Sequence, residues 1–169
     1  MKVLNIHSKV YPVPENRLGF LLDSLSSKND LLWPRKLWPE IKFNKALSIS
    51  ACGGHGPIRY FVKEYEPGKH IIFQFLGPRG FNGYHEYETL ALNDHQSELR
   101  HSLKMNTGGW ARLSWPLIFR PLHDALIEDS LSCAEVHLGL KPSISKWSPY
   151  VKFLRRMISG KKSLPQVFA

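Results

Sequence analysis

The chain has 169 residues, 43% of them apolar and 22% charged, which is enough to bury a core without disulfides or metal. Its formal charge of +9 is uneven: residues 1–139 hold 16 basic and 14 acidic residues, while 140–169 hold seven basic residues and no acid. A body so nearly neutral excludes the broad basic face of a nucleic-acid-binding domain, and no nucleic acid is expected as a partner. The two cysteines, Cys52 and Cys133, lie far apart without metal-ligand spacing. Neither a disulfide framework nor a zinc module is indicated, and a cytoplasmic setting is expected. The opening segment MKVLNIHSKVYPVPENR lacks the apolar run of a signal peptide. No stretch approaches the roughly 20 apolar residues of a spanning helix.

In chain order, residues 2–11 read as a strand that Pro12-Val13-Pro14 ends. A helix over about 14–26 follows, with Pro14 suited to its first turn and Leu18, Leu21, Leu22 and Leu25 at helical spacing. A short helix near 34–41 is expected to bury Leu37, Trp38 and Ile41. Strands then follow over 46–52, 58–66, 70–76, 83–92 and 97–105, each closed by Gly, Pro, Asn or Asp. Short connections between them imply an antiparallel meander. A long helix runs from about 115 or 121 to 138, its regular part started by Pro121 and stopped by Gly139. Leu122, Ala125, Leu126, Cys133 and Val136 form one apolar stripe, which must dock on the apolar face of the strands. A curved sheet around one helix leaves room for a ligand pocket.

Three stretches carry a resemblance: Gly80-Phe81-Asn82-Gly83-Tyr84-His85, Leu99-Arg100-His101-Ser102-Leu103, and Leu113-Ser114-Trp115-Pro116-Leu117 running into Arg120-Pro121-Leu122-His123-Asp124-Ala125-Leu126-Ile127-Glu128-Asp129. With the order of elements, they resemble the START/Bet v 1-like superfamily, and within it bacterial SRPBCC (polyketide cyclase/dehydrase-like) proteins. The resemblance spans residues 1–139. It implies an α+β helix-grip fold: a curved antiparallel sheet of six to seven strands around a long C-terminal helix, with two short helices after the first strand. It also implies an internal cavity for a small hydrophobic ligand. It implies no catalytic residue, because the superfamily has no shared catalytic motif and includes lipid carriers, hormone and steroid binders, and cyclases. Six strands are read here against the usual seven. The missing strand, or an irregular stretch, is expected between Ala46 and Pro67.

Alternation along the strands places polar groups inside. Leu99, His101, Leu103 and Met105 share one face, opposite Glu98, Arg100 and Lys104. Phe81, Gly83, His85 and Tyr87 share a face opposite Tyr84, Glu86 and Glu88. His85 and His101 therefore point inward on neighbouring strands. On the long helix Asp129 projects between Leu126, Ala125 and Cys133 and needs a buried donor: His85 or His101, with Tyr60 or Tyr87 as others. Buried histidines that only pair with a carboxylate are common structural features. The same three residues are also able to anchor a ligand's polar group, act as general acid and base, or hold a metal. Phe73, Phe75, Phe81, Tyr87, Leu99, Leu103, Leu122 and Leu126 are the expected apolar lining, with His85, His101 and Asp129 as the polar anchor. His123, Asp124 and Glu128 read as the solvated face of the helix. Trp110 and Trp115 are expected to pack on the sheet or close the cavity end. The Cys52-Gly53-Gly54-His55-Gly56-Pro57 segment lacks a phosphate-loop context and reads as a loop, of a kind able to rim the cavity mouth. No cofactor is expected.

In the tail, Trp147, Tyr150, Val151, Leu154 and Ile158 follow helical spacing among Lys152, Arg155, Arg156, Lys161 and Lys162. The apolar stripe either docks on the domain or a partner, or lets residues 146–162 make peripheral contact with an anionic membrane. The leading expectation is binding or transport of a small hydrophobic ligand, lipid-like or aromatic. The alternatives are a cyclase- or dehydratase-type enzyme using a cavity histidine, and a membrane-associated adaptor.

Overall fold

The computed structural model describes residues 1–159. Strand β1 (Lys2–Tyr11) turns its odd residues inward, and helix α1 (Glu15–Asp23) follows. Pro14 sits just before α1 in an extended conformation rather than within its first turn. No helix forms over 34–41, a departure from expectation. The cause is local: the Asp30 carboxylate accepts the backbone N–H groups of Ser26, Leu32 and Trp33, and the Trp33 indole donates to the Pro39 carbonyl. These bonds hold an irregular loop that still buries Leu37, Trp38 and Ile41.

Six further strands follow: β2 (Lys42–Phe43), β3 (Cys52–His55), β4 (Ile58–Glu66), β5 (His70–Gly77), β6 (Phe81–Asn93) and β7 (Gln96–Thr107). They form one antiparallel sheet with β1, in the order β1-β7-β6-β5-β4-β3-β2. The strand missing from the sequence reading is β2, upstream of where it was sought. The strand expected over 46–52 is displaced to 52–55. Gly53 and Gly54 lie within β3 rather than closing a strand. A Cβ on either would stand 1.9 Å from a carbonyl oxygen, of Lys42 or of Ile58, so only glycine lets both neighbouring strands approach.

Past β7, helix α2 (Ala111–Ser114), a π-helical turn (Trp115–Phe119) and helix α3 (Arg120–His137) run end to end. Pro121 has no N–H to offer the Leu117 carbonyl four residues back. The Tyr150 hydroxyl donates to that carbonyl instead, at 2.7 Å. At the other end Gly139 is left-handed, with φ of 76°, and the Leu140 and Gly139 N–H groups close on the Glu135 and Val136 carbonyls. Helix α4 (Pro149–Ser159) packs Val151 and Leu154 inward and leaves Tyr150, Phe153 and Met157 exposed. Lys161 and Lys162 of the expected basic tail lie outside the described residues. No described helix is long and apolar enough to cross a membrane.

The buried side chains divide into two clusters under the sheet. The larger joins α1, α3, the 31–41 loop and the middle strands; the smaller is Phe75, Phe81, Leu103, Met105, Ala111 and Trp115. A cavity lies where the two meet, with residues of both in its wall.

Candidate functional site

Register builds the inner wall of this cavity. One cross-strand row runs Phe73, His85, Leu103, Asn5, and the next runs Ile71, Tyr87, His101, His7. His85 and His101 are thus diagonal neighbours on the concave face, and His85 Nδ1 stands 3.3 Å from His101 Nε2. Both are almost wholly buried, at 7% and 1% exposure. α3 lays Leu122, His123 and Leu126 over them, and the π-helical turn adds Trp115 and Phe119. The β3–β4 turn contributes His55, Gly56 and Pro57 at the rim, and the 31–41 loop contributes Trp33 and Trp38. Arg155 and Ile158 of α4 complete the wall. The cavity volume is about 140 Å³.

Burial keeps the histidines of this wall uncharged. It pushes His85 and His101 well below the ordinary imidazole value, and neighbouring histidines add to the effect. His55 and His123 are lowered for the same reason. Tyr60, edge-on to His85, is pushed well above the ordinary phenol value by burial. A neutral imidazole offers one donor and one acceptor, so the His85–His101 contact uses one nitrogen of each. His101 Nδ1, both nitrogens of His123 and the Tyr60 hydroxyl are buried without a hydrogen-bond partner among the described residues. Such unsatisfied capacity beside an apolar space is where a ligand's polar group or a water is received.

The expected site residues do not all meet here. His85, His101, Phe75, Phe81, Leu103, Leu122 and Leu126 line the cavity. Phe73, Tyr87 and Leu99 do not: they belong to the larger core cluster, and the Tyr87 hydroxyl is taken by Ser130 at 2.9 Å. Asp129 is buried as expected, but the donors it finds among the described residues are indoles rather than histidines or tyrosines. The Trp38 and Trp147 indoles donate to its Oδ2 at 2.7 and 2.8 Å. The Arg155 guanidinium lies over both indole rings, 4.2 and 4.3 Å from their centroids.

His123 is corrected from the solvated face to the cavity wall. The sequence did hold the signal, because His123 stands three residues before Leu126 and shares its side of the helix. Asp124 and Glu128 are half-buried against β1 rather than free in solvent. Asp124 accepts from Asn5, and both carboxylates contact His7. Trp115 lines the cavity, whereas Trp110 is 80% exposed.

The sequence matches no family model and no curated protein. Solved structures do match. A Thermobifida fusca protein shares 13% identity over 84% of this chain and 97% of its own, with a TM-score of 0.61. Norcoclaurine synthase from Thalictrum flavum, in complex with dopamine and hydroxybenzaldehyde, shares 11% over 86% of this chain and 90% of its own, with a TM-score of 0.61. CalU16 from Micromonospora echinospora shares 12% over 95% of this chain and 96% of its own, with a TM-score of 0.57. At such identities the likeness defines the fold alone: a curved antiparallel sheet gripping a long C-terminal helix, the α+β helix-grip fold.

Proposed function

We propose that the cavity binds one small, mostly apolar molecule of single-ring size whose hydroxyl or carbonyl group is received by the His85–His101 pair. The cavity volume carries this reading. At about 140 Å³ it matches the cavity of about 150 Å³ that stays dry and takes up benzene in an engineered core. That is room for a ring, not for an acyl chain, so an aromatic ligand is favoured over a lipid. The norcoclaurine synthase structure of the same fold holds dopamine and hydroxybenzaldehyde, both single-ring phenols. The lowered imidazole pKa values favour binding over proton transfer. Neutral histidines are good hydrogen-bond partners, but ones held so far below pH 7 are weak bases.

Native mass spectrometry, followed by organic extraction, tests for a resident ligand. Titration with phenol and with benzene then tests the anchor. Phenol is expected to bind about tenfold or more tightly than benzene, and His101→Phe to erase that preference. Equal binding of both would remove the histidines from recognition.

A second reading concerns α4. Its exposed Tyr150, Phe153 and Met157 stand among the exposed cations Lys152 and Arg156, which suits shallow contact with an anionic bilayer. Flotation with vesicles rich in phosphatidylserine is expected to carry the protein, and Phe153→Glu with Met157→Glu to abolish this. Equal flotation would exclude α4 from membrane contact.

A further inference from the structure

Behind the cavity wall, β1 and α3 bring together His7, His123 and Asp124, whose ligating atoms all lie within 4.8 Å of one another. We propose that these three residues form a binding site for a divalent cation of the zinc class, independent of the small-molecule reading above.

Four observations carry this. The first is spacing. His7 Nε2 stands 3.2 Å, and His123 Nδ1 3.6 Å, from Asp124 Oδ1. Two ligands each about 2.0–2.1 Å from a tetrahedral ion stand about 3.3 Å apart. The two spacings to Asp124 already suit one, and the His7–His123 pair, within 4.8 Å, has to close by no more than about 1.5 Å. The second is orientation. His7 Nδ1 lies 2.8 Å from Glu128 Oε1, so that carboxylate fixes the ring and leaves Nε2 facing Asp124. A carboxylate behind a ligating histidine is the usual outer support of a zinc site. The third is unused capacity. Both nitrogens of His123 are buried without a hydrogen-bond partner among the described residues, as is Asn5 Oδ1 beside the cluster. The fourth is charge. Asp124 and Glu128 give the pocket two carboxylates, against Arg120, whose Nε is 3.6 Å from Asp124 Oδ2.

The donor set is two imidazoles and one carboxylate, which suits Zn²⁺ better than the oxygen-seeking Mg²⁺ or Ca²⁺. Three protein ligands leave the fourth position to water. His123 belongs both to this set and to the cavity wall, so an ion here would stand next to the cavity. The bond changes balance simply: Nε2 of His7 gives up its proton to solvent and takes the ion in its place.

The test uses the full chain, stripped with a chelator and titrated with Zn²⁺ by calorimetry. One equivalent is expected to bind. His7→Ala and Asp124→Asn are each expected to abolish that stoichiometric binding, and Glu128→Gln to weaken it about 10–100-fold. Absence of binding in the parent chain would overturn the proposal. So would binding that survives His7→Ala but is lost in His85→Ala, which would move the ion to the cavity histidines. The Co²⁺-loaded parent chain keeps the test decisive should a variant fail to fold. Strong visible absorption of four-coordinate cobalt, with paramagnetic shifts at the His7 and His123 rings, is expected. Shifts confined to other histidines would overturn the assignment.

Discussion

Replacing Asp129 by alanine is expected to lower stability by about 3–5 kcal/mol, measured by urea denaturation at pH 7.5. The carboxylate is 1% exposed and accepts two indole N–H groups, from Trp38 at 2.7 Å and Trp147 at 2.8 Å. Each hydrogen bond to a charged acceptor is worth about 1.5–3 kcal/mol, and removing the acceptor leaves both donors buried at 8% and 6% exposure. Asp129→Asn keeps one acceptor oxygen and is expected to lose about half as much. Trp147 also ties the segment leading into α4 to the core. Cleavage of native protein by trypsin at Lys152, Arg155 or Arg156 should therefore quicken in the alanine variant. A loss below about 1 kcal/mol would mean that water or a neighbouring group takes over both indoles.

Asp129 also shows where sequence reading stops. Projection along the helix places it in the middle of the apolar stripe, and burial then demands a donor. The identity of that donor is not legible, because it comes from residues 91 earlier and 18 later in the chain. An indole carries no periodic signal that marks it as a donor rather than as core. His85 and His101 were legible for the opposite reason. Glu86 and Glu88 on one strand, and Arg100 and Lys104 on the other, mark the outer face, and alternation does the rest. Phe73 and Leu99 face inward as well, but a single strand's alternation does not say how far along the sheet the cavity extends. His7 had no signal at all until its register with His101 was known. The β2–β3 edge failed because glycine has two meanings. At Gly53 and Gly54 it permits close approach inside a sheet, and in sequence that looks the same as a turn.

These contacts assign separate tasks to the two sides of α3. One side, through Leu122 and Leu126, closes the cavity over the sheet histidines. The other, through Asp124 and Glu128, reaches β1. His123 stands between them, with rings of His7, His101 and Trp115 at 6.0, 5.0 and 5.8 Å. A change at the β1 side is thus one residue away from the cavity wall.

Stability is expected to fall by about 2–3 kcal/mol between pH 6 and pH 5 through His85 and His101 alone. Burial is the main cause of their lowered pKa values, and the neighbouring histidines His55 and His123 add to it. The unfolded chain takes up a proton at each of these residues near pH 6.5, whereas the folded chain does not. Their contribution is therefore complete above pH 6.5. It is lost as pH falls, at about 1.4 kcal/mol per unit for each residue, until the folded pKa is reached. His7 has the opposite sign. Burial lowers its pKa, but Asp124 and Glu128 outweigh burial and raise it. Its contribution is complete below pH 6.5 and fades above, so it does not offset the slope between 6 and 5. Asp30, raised by burial, opposes the slope only nearer the carboxylate range. Urea midpoints at pH 7.5, 6.5, 5.5 and 4.5 measure the profile, to which His55 and His123 add with the same sign. His85→Gln is expected to reduce the slope between 6 and 5 by about 1.4 kcal/mol per unit. A flat profile would mean that protons reach the pair in the folded state, and with it that the cavity is wet. A bound phenol should raise the midpoints across this range and leave the slope between 6 and 5 unchanged, because the folded histidines already carry no proton there.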